Sequence, residues 1–457
     1  MAGISIELKK ILRREKLLWL LVGAGYSALL GTGNWVIAVA SIFIFSVVAQ
    51  RFASDPDIPI IYQVYITYTV ALSLIVSGPL QLMFTRYVAD RLFEKETDKV
   101  LPNYFGALFL SMFLGFAVAL ALSFYLLKGL PYYYHAVFSF TVSVLSGLWT
   151  TNALLTGLKS YKHIVISFLV SYLITGILLV FSSRYGLIWT FVTFYAGQSL
   201  LLFLLIYRVI RDYTSDRLFE LEFLSRQKSY YSLALAGLFY NIGIWIDKVV
   251  FWFSPITGDN VFANIRASIV YDIPVILAYL SLVPGISVFF LKIEVEFATE
   301  YDEYYRAVRE WGKLEDLYRL ANKLIEGARA TLYETLRVQG IAAVLILFLE
   351  KELFKLLRLP TLYIPLFNVL LVGAVLQLAF MVIFALLSYF DRRKELVVIS
   401  FTFAFLNFLL SVLSQLLGPF FYGYGYALSL LIAVIVGMVL LRRFMGEIHY
   451  RTYMLGA

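Results

Sequence analysis

Long apolar runs alternate with short charged segments along the whole chain, and that alternation predicts its architecture. Twelve runs are long enough for a helix to cross a bilayer, which takes about 20 apolar residues. They lie approximately at 22–49, 59–85, 102–127, 132–158, 163–183, 185–207, 229–254, 267–291, 336–353, 361–389, 396–417 and 420–441. The ninth is short and ends in Glu350-Lys351-Glu352. Ahead of the first run, Ile4, Leu8, Ile11 and Leu12 recur at helical spacing among basic residues. This predicts an amphipathic helix over 1–18 lying on the membrane surface. No short apolar core precedes a small-residue cleavage site, so no signal peptide is expected. The fold class is all-α, a polytopic membrane protein of twelve transmembrane helices with added amphipathic helices on the cytoplasmic side.

Two charged segments are longer than tight turns. Residues 211–228 divide the runs six and six, so the expected organisation is a bundle over 19–210, a linker over 211–228 and a bundle over 229–457. The second bundle carries an insertion, 292–335, in which Tyr301, Tyr304, Tyr305, Val308, Trp311, Leu314, Leu317, Leu320 and Leu324 keep helical spacing between charges. This reads as a helix, or a pair broken near Gly312. Such a face suits either lipid headgroups or a cytosolic partner. Its mixed charge favours the partner, with Tyr301, Tyr305, Trp311 and Leu317 as docking candidates.

Composition removes the soluble alternatives. The chain of 457 residues is 61% hydrophobic and 15% charged, with mean hydropathy +0.82, whereas soluble domains run nearer half apolar and a quarter charged. A water-soluble enzyme and a nucleic-acid-binding protein are both excluded. Net charge is +8, and its distribution is informative. With the N-terminus in the cytoplasm, 30 of the 38 Lys and Arg residues fall in inside segments and seven outside, with Lys248 inside a span. That asymmetry places both termini in the cytoplasm by the positive-inside rule. Dropping one helix would reverse every later loop.

The two halves repeat faintly. At an offset of 206 residues, Arg86 falls on Lys292, Asp90 on Glu296 and Glu94 on Glu300. In each copy a Gly/Pro pair is expected to kink an apolar helix that then runs out of the membrane as a charged helix. Halves with an even number of spans share an orientation, so the repeat is parallel, about an axis along the membrane normal, with a substrate path expected between the bundles.

Enzyme chemistry is not visible. Cysteine is absent, and His135, His163 and His449 are too scattered for a metal or a triad. No G-x-x-x-x-G-K-[ST] loop occurs, and no cofactor or metal is expected. Polar residues inside spans remain, and a charge at the bilayer centre costs roughly 2.5–3.5 kcal/mol. Asp247, Lys248 and Asn241 lie in the seventh span; Arg266 and Asp272 open the eighth. Asp247 or Asp272 paired with Lys248 or Arg266 would serve as an ion pair locking the bundle, or as a gate or substrate contact. Asn34 and Gln81 are further path candidates. The tyrosines at 132–134 and at 422, 424 and 426 suit an interfacial belt, and their rings also suit stacking on sugar faces.

Local strings then carry a resemblance. The opening MAGI before a basic amphipathic helix, TRYVADRLFEKETDKVLPN (85–103), GIWIDKVVFWFSPITG (243–258), RASIVYDIPVILAYLSLVPG (266–285) and the following IEVEFATEYDEYYRAVREWGKLEDL resemble the Pel exopolysaccharide transporter family, PelG, across nearly the whole chain. Ser5-Ile6 stands where that family usually has Gly-Phe. The resemblance implies a twelve-helix, flippase-like protein of the MOP superfamily in a bacterial inner membrane. It also implies export of an N-acetylgalactosamine-rich polymer, in a complex with a cytosolic PelF-like glycosyltransferase and PelD-like and PelE-like membrane proteins. It carries no catalytic residues. Alternative readings are a lipid-linked oligosaccharide flippase, which needs a cationic cavity, and an ion-coupled small-molecule exporter, which needs an acidic site. A scaffold that assembles the synthase without transporting is a further one.

Overall fold

A computed structural model describes residues 36–225, 230–310 and 312–454. The surface helix expected over 1–18 lies outside these residues, and so does the early part of the first span. Among the described residues, ten helices are long and apolar enough to cross a membrane, or eleven if one bent pair counts as a single span. The chain is a multi-pass all-α membrane protein. Helix α1 (Val36–Ala49) is the described part of the first span. It is followed by α2 (Ile58–Phe93), α3 (Val100–Leu126), α4 (Tyr132–Gly157), α5 (Tyr161–Ser182), α6 (Leu187–Asp212) and α7 (Tyr231–Phe253). Continuing along the chain are α8 (Ile269–Leu280), α9 (Val283–Leu291), α10 (Ala298–Arg309), α11 (Leu314–Leu356), α12 (Ile364–Tyr389), α13 (Arg393–Leu417), α14 (Tyr424–Gly446) and α15 (Ile448–Met454).

The helices pack as two compact units, one over residues 33–268 and one starting at Ile269. This division differs from the expected cut at the 211–228 linker. By packing, α7 belongs with the first unit, because its glycine face lies directly on α2.

Within the first unit, hydroxyl groups join α4 to its neighbours. Thr141 hydrogen-bonds the Tyr65 hydroxyl on α2 at 3.0 Å, Thr150 meets Ser111 on α3 at 2.9 Å, and Thr151 meets Tyr104 on α3 at 2.9 Å. The Trp149 indole donates to Ser73 on α2 at 2.9 Å. Lipid tails offer helices no hydrophobic reason to associate, so small residues and interhelical hydrogen bonds hold such bundles. An aromatic layer packs beside these bonds, with Tyr65 stacked on Phe191 at a ring separation of 3.8 Å.

An element that the apolar pattern does not show closes this unit. Residues Asp259–Phe262 (β1) and Ile265–Ala267 (β2) form an antiparallel hairpin with a register irregularity between Asn260 and Phe262. Asn264 ties its turn to the end of α3, donating from its amide to Leu126 and from its side chain to Tyr125, at 3.0 and 2.9 Å.

The linker after α6 is also bound rather than free. Asn103, on the first turns of α3, accepts hydrogen bonds from the amides of Glu222 at 2.8 Å and Phe223 at 3.4 Å. The Glu220 amide donates to the Pro102 carbonyl at 3.0 Å, and the Tyr87 hydroxyl donates to Glu222 at 2.7 Å. Phe223 is fully buried, with its ring against Phe84 and Tyr87 at 5.4 and 6.2 Å. Gly106 permits the crossing, since a Cβ there would stand 2.0 Å from the Glu220 carbonyl oxygen. Beside this clasp Lys99, and then Arg91, hold the Glu96 carboxyl below the usual carboxylate range.

In the second unit the eighth span bends by 40° between α8 and α9. Pro284 follows the break, and the Gln339 side chain of α11 donates at 3.0 Å to the Ser281 carbonyl there. Beyond α9 the chain makes a π-helical turn over Lys292–Phe297. The matching position in the first half behaves differently. Pro79 sits inside an unbroken helix of 36 residues, so only the second Gly/Pro pair coincides with a break. The charged continuations agree closely: Arg86 bridges Asp90 at 3.3 Å and Lys292 bridges Glu296 at 2.8 Å, at positions 206 apart. The ninth span is not a short separate helix. It is the distal part of α11, a continuous helix of 43 residues that begins just after the break at Gly312.

Candidate functional site

The seventh span buries Asn241, Asp247 and Lys248, and its location follows from two glycines. Gly237 on α7 faces Gly78 on α2 so closely that a Cβ on Gly237 would stand 2.2 Å from the Gly78 carbonyl oxygen. One turn further along α7, Asn241 is buried and donates to the Gly237 carbonyl at 2.9 Å, and its amide nitrogen borders the space beside Gly78. On α2, Gln81 lies one turn beyond Gly78 and donates to the Ser77 hydroxyl at 2.8 Å. A Gly237→Ala change forces two backbones apart that have no flexible atoms to yield. The expected cost is about 1–3 kcal/mol, read as a lower unfolding temperature of the purified protein in detergent.

Deeper along the same helix lie Asp247 and Lys248. Asp247 has no exposed surface and Lys248 is 4% exposed. Adjacent residues on a helix point in different directions. The long lysine stem nevertheless folds back, and its ammonium donates to both Asp247 carboxylate oxygens at 3.1 Å and to the Ile244 carbonyl at 2.8 Å. The Trp245 ring centroid is 6.0 Å from the same nitrogen, within cation–π range. An isolated charge here would be expensive, and the contacts compensate for it as a neutral pair.

Arg266 takes no part in that pair through the contacts it makes. It sits on β2, where its guanidinium donates to the carbonyls of Ser254, at 3.3 Å, and Gly258. Its backbone is braced by Tyr68: the tyrosine hydroxyl donates to the Arg266 carbonyl at 2.7 Å and accepts from its amide at 3.2 Å. Tyr68 in turn stacks on Trp252 of α7 at 4.7 Å. Arg266 therefore rigidifies the hairpin. Asp272 lies half-buried in the first turn of α8, in the second unit. The geometry brings Asp247 and Lys248 together. Asn34 lies outside the described residues.

Three of the docking candidates, Tyr301, Tyr305 and Leu317, lie among the described residues. Tyr301 packs its ring on Tyr305, Tyr389 and Phe390 at 4.4, 5.6 and 6.2 Å, turned onto the ends of the spans of its own unit. Leu317 is buried. Part of the apolar stripe of the insertion, including Tyr304, Leu317 and Leu324, is buried where α10 and α11 pair with each other, while Leu314 is exposed. Trp311 lies outside the described residues. Sequence reasoning also missed the clasp on the linker. Its signal was the alternation in Leu218-Phe219-Glu220-Leu221-Glu222-Phe223, a strand-like pattern that a free hydrophilic connection would not carry.

Comparison with known proteins agrees with this architecture. No curated protein matches the chain. Among solved structures, an outward-facing multidrug resistance MATE family transporter of the MOP superfamily aligns with TM-score 0.65 at 13% identity, covering 93% of this chain and 96% of that one. A MATE protein in the straight conformation aligns with TM-score 0.64 at 14% identity and the same coverage. A MOP superfamily transporter from Pyrococcus furiosus, described as having a binding pocket of reverse polarity, aligns with TM-score 0.64 at 13% identity over 92% of this chain and 96% of its own. At these identities the likeness establishes the fold. The family model for the exopolysaccharide exporter PelG (EPS-E) matches residues 1–453. The chain belongs to the PelG exopolysaccharide exporter family, a group of membrane transport proteins and not enzymes.

Proposed function

We propose that this chain exports an N-acetylgalactosamine-rich polysaccharide from the cytoplasm, with both of its own termini on that side. A cytosolic PelF-like glycosyltransferase makes the polymer, and PelD-like and PelE-like membrane proteins complete the assembly. The observation that carries this reading is the family match over residues 1–453. The polymer is driven by chain extension at the synthase, consistent with a sequence that has no nucleotide-binding loop.

Electrostatics sets the form of the cargo. Moving one positive charge out of a cell against the membrane potential costs about 2.3 kcal/mol per 100 mV. A polymer with free amines would meet that cost at every charged sugar, so it passes N-acetylated and neutral, and deacetylation follows outside. The span charges support this, because Asp247 and Lys248 cancel as a pair. A diphosphate-linked oligosaccharide would instead need an available cation, and Lys248 and Arg266 are both engaged by oxygens of their own unit. We assign path contacts to Asp247, Lys248, Asn241, Gln81 and Arg266 in the first unit and, separately, to Asp272 in the second.

The test is a strain lacking this chain, complemented by the full-length protein, with polymer measured inside and outside the cell. Export predicts internal accumulation without the chain and restored secretion with it. Secretion at the normal level without the chain would refute the reading. Polymer trapped inside the deletion strain should be fully N-acetylated, and free amines on it would refute the neutral-cargo step alone.

A further inference from the structure

The clasped linker presents a surface that its own contacts leave open. Leu218 is 79% exposed and Phe219 is 51% exposed. Phe219 lies edge-on to Phe109 of α3, with ring centroids 6.0 Å apart. Phe109 in turn stacks on Phe113 at 6.1 Å, and these two rings are 59% and 56% exposed. On a span as apolar as α3, outward-facing phenylalanines meet lipid, so the linker residues extend a face that already belongs to the bilayer. Phe109 is nine residues beyond the start of α3, about 13 Å along the helix axis. A linker that touches it has therefore descended alongside the span. The bonds to the Pro102 carbonyl and the Asn103 side chain hold it there, and Arg217, bridged to Glu220 at 2.6 Å, stays at the polar rim.

We propose that Leu218 and Phe219 insert into the membrane leaflet beside α3, so that the segment joining α6 to α7 is a lipid-anchored strap and not a solvated connection. The partner is the apolar layer just beneath the headgroups, where amphipathic segments bury an apolar face roughly 5–10 Å deep. At the rim Lys99 is engaged by Glu96 and Glu222 and Arg217 by Glu220, so no excess of positive charge faces the headgroups and insertion does not depend on anionic lipid.

The chain has no cysteine, which makes a direct test simple. Full-length Leu218→Cys, Phe219→Cys and Asp216→Cys proteins, each carrying an environment-sensitive fluorophore, are reconstituted in phosphatidylcholine vesicles. Labels at 218 and 219 should be quenched by lipids bearing a nitroxide near the headgroup, and shielded severalfold from aqueous iodide. The label at exposed Asp216 should behave in the opposite way. Adding anionic lipid should change neither result. Labels at 218 and 219 as open to iodide as the label at 216 would overturn the proposal. Quenching that appears only with anionic lipid would overturn apolar insertion in favour of electrostatic attraction.

Discussion

Lys248→Met is expected to leave far less folded protein in the membrane, because it abandons the Asp247 carboxylate in a site with no exposed surface. Breaking a buried pair by removing one partner costs about 3–5 kcal/mol, whereas replacing both partners with neutral groups of similar size is often tolerated. The double variant Asp247→Asn with Lys248→Met should therefore recover most of the lost thermal stability, measured on purified protein. Secretion then separates the two roles left open by the sequence. As path contacts, the residues leave the double variant stable but poor in secreted polymer. Normal secretion by the double variant would reduce the pair to a lock within the bundle. The exchanged pair, Asp247→Lys with Lys248→Asp, provides a third point, since a lock accepts either order and a path contact depends on which group faces the cargo.

Phe223→Ala is expected to release the linker. The ring is fully buried against Phe84 and Tyr87, and removing a buried phenylalanine side chain costs about 3–5 kcal/mol. The contacts at stake are local, so the loss should show first as access to the linker. Limited trypsin digestion in membranes, cutting after Arg217, should be much faster than in the unaltered protein while the helical signal in circular dichroism persists. Equal digestion rates would show that the hydrogen bonds of Asn103 hold the strap without the aromatic plug.

The helices were the legible part of this molecule. Apolar runs of about 20 residues have few physical solutions in a bilayer, and the runs at 59–85, 102–127 and 361–389 correspond to α2, α3 and α12. Features governed by particular atoms were harder to read. The run at 336–353 looked like a helix of its own because its preceding stretch is charged. The backbone does not respond to that change in solvent, and α11 continues through it. For the tyrosines of the insertion, helical periodicity shows that a face is apolar without naming what it touches inside its own unit. Tyr389 and Phe390, about ninety residues later, were beyond the reach of a local pattern. At the candidate site, the four charges were visible as costly residues, but their pairing depends on rotamers. Lys248 found the carboxylate next to it, and Arg266 found carbonyls of its own hairpin.

Helix α11 has 43 residues, and at 1.5 Å per residue it is a rod of about 65 Å, roughly twice the hydrocarbon thickness. It contains no proline where a displacement could be absorbed. Its charged third lies beside α10, and further along it Gln339 supplies the hydrogen bond that satisfies the bent eighth span at Ser281. One unbroken helix thus links the region near Leu314 with the bend at Ser281, which it meets through the Gln339 bond and through its packing on α9.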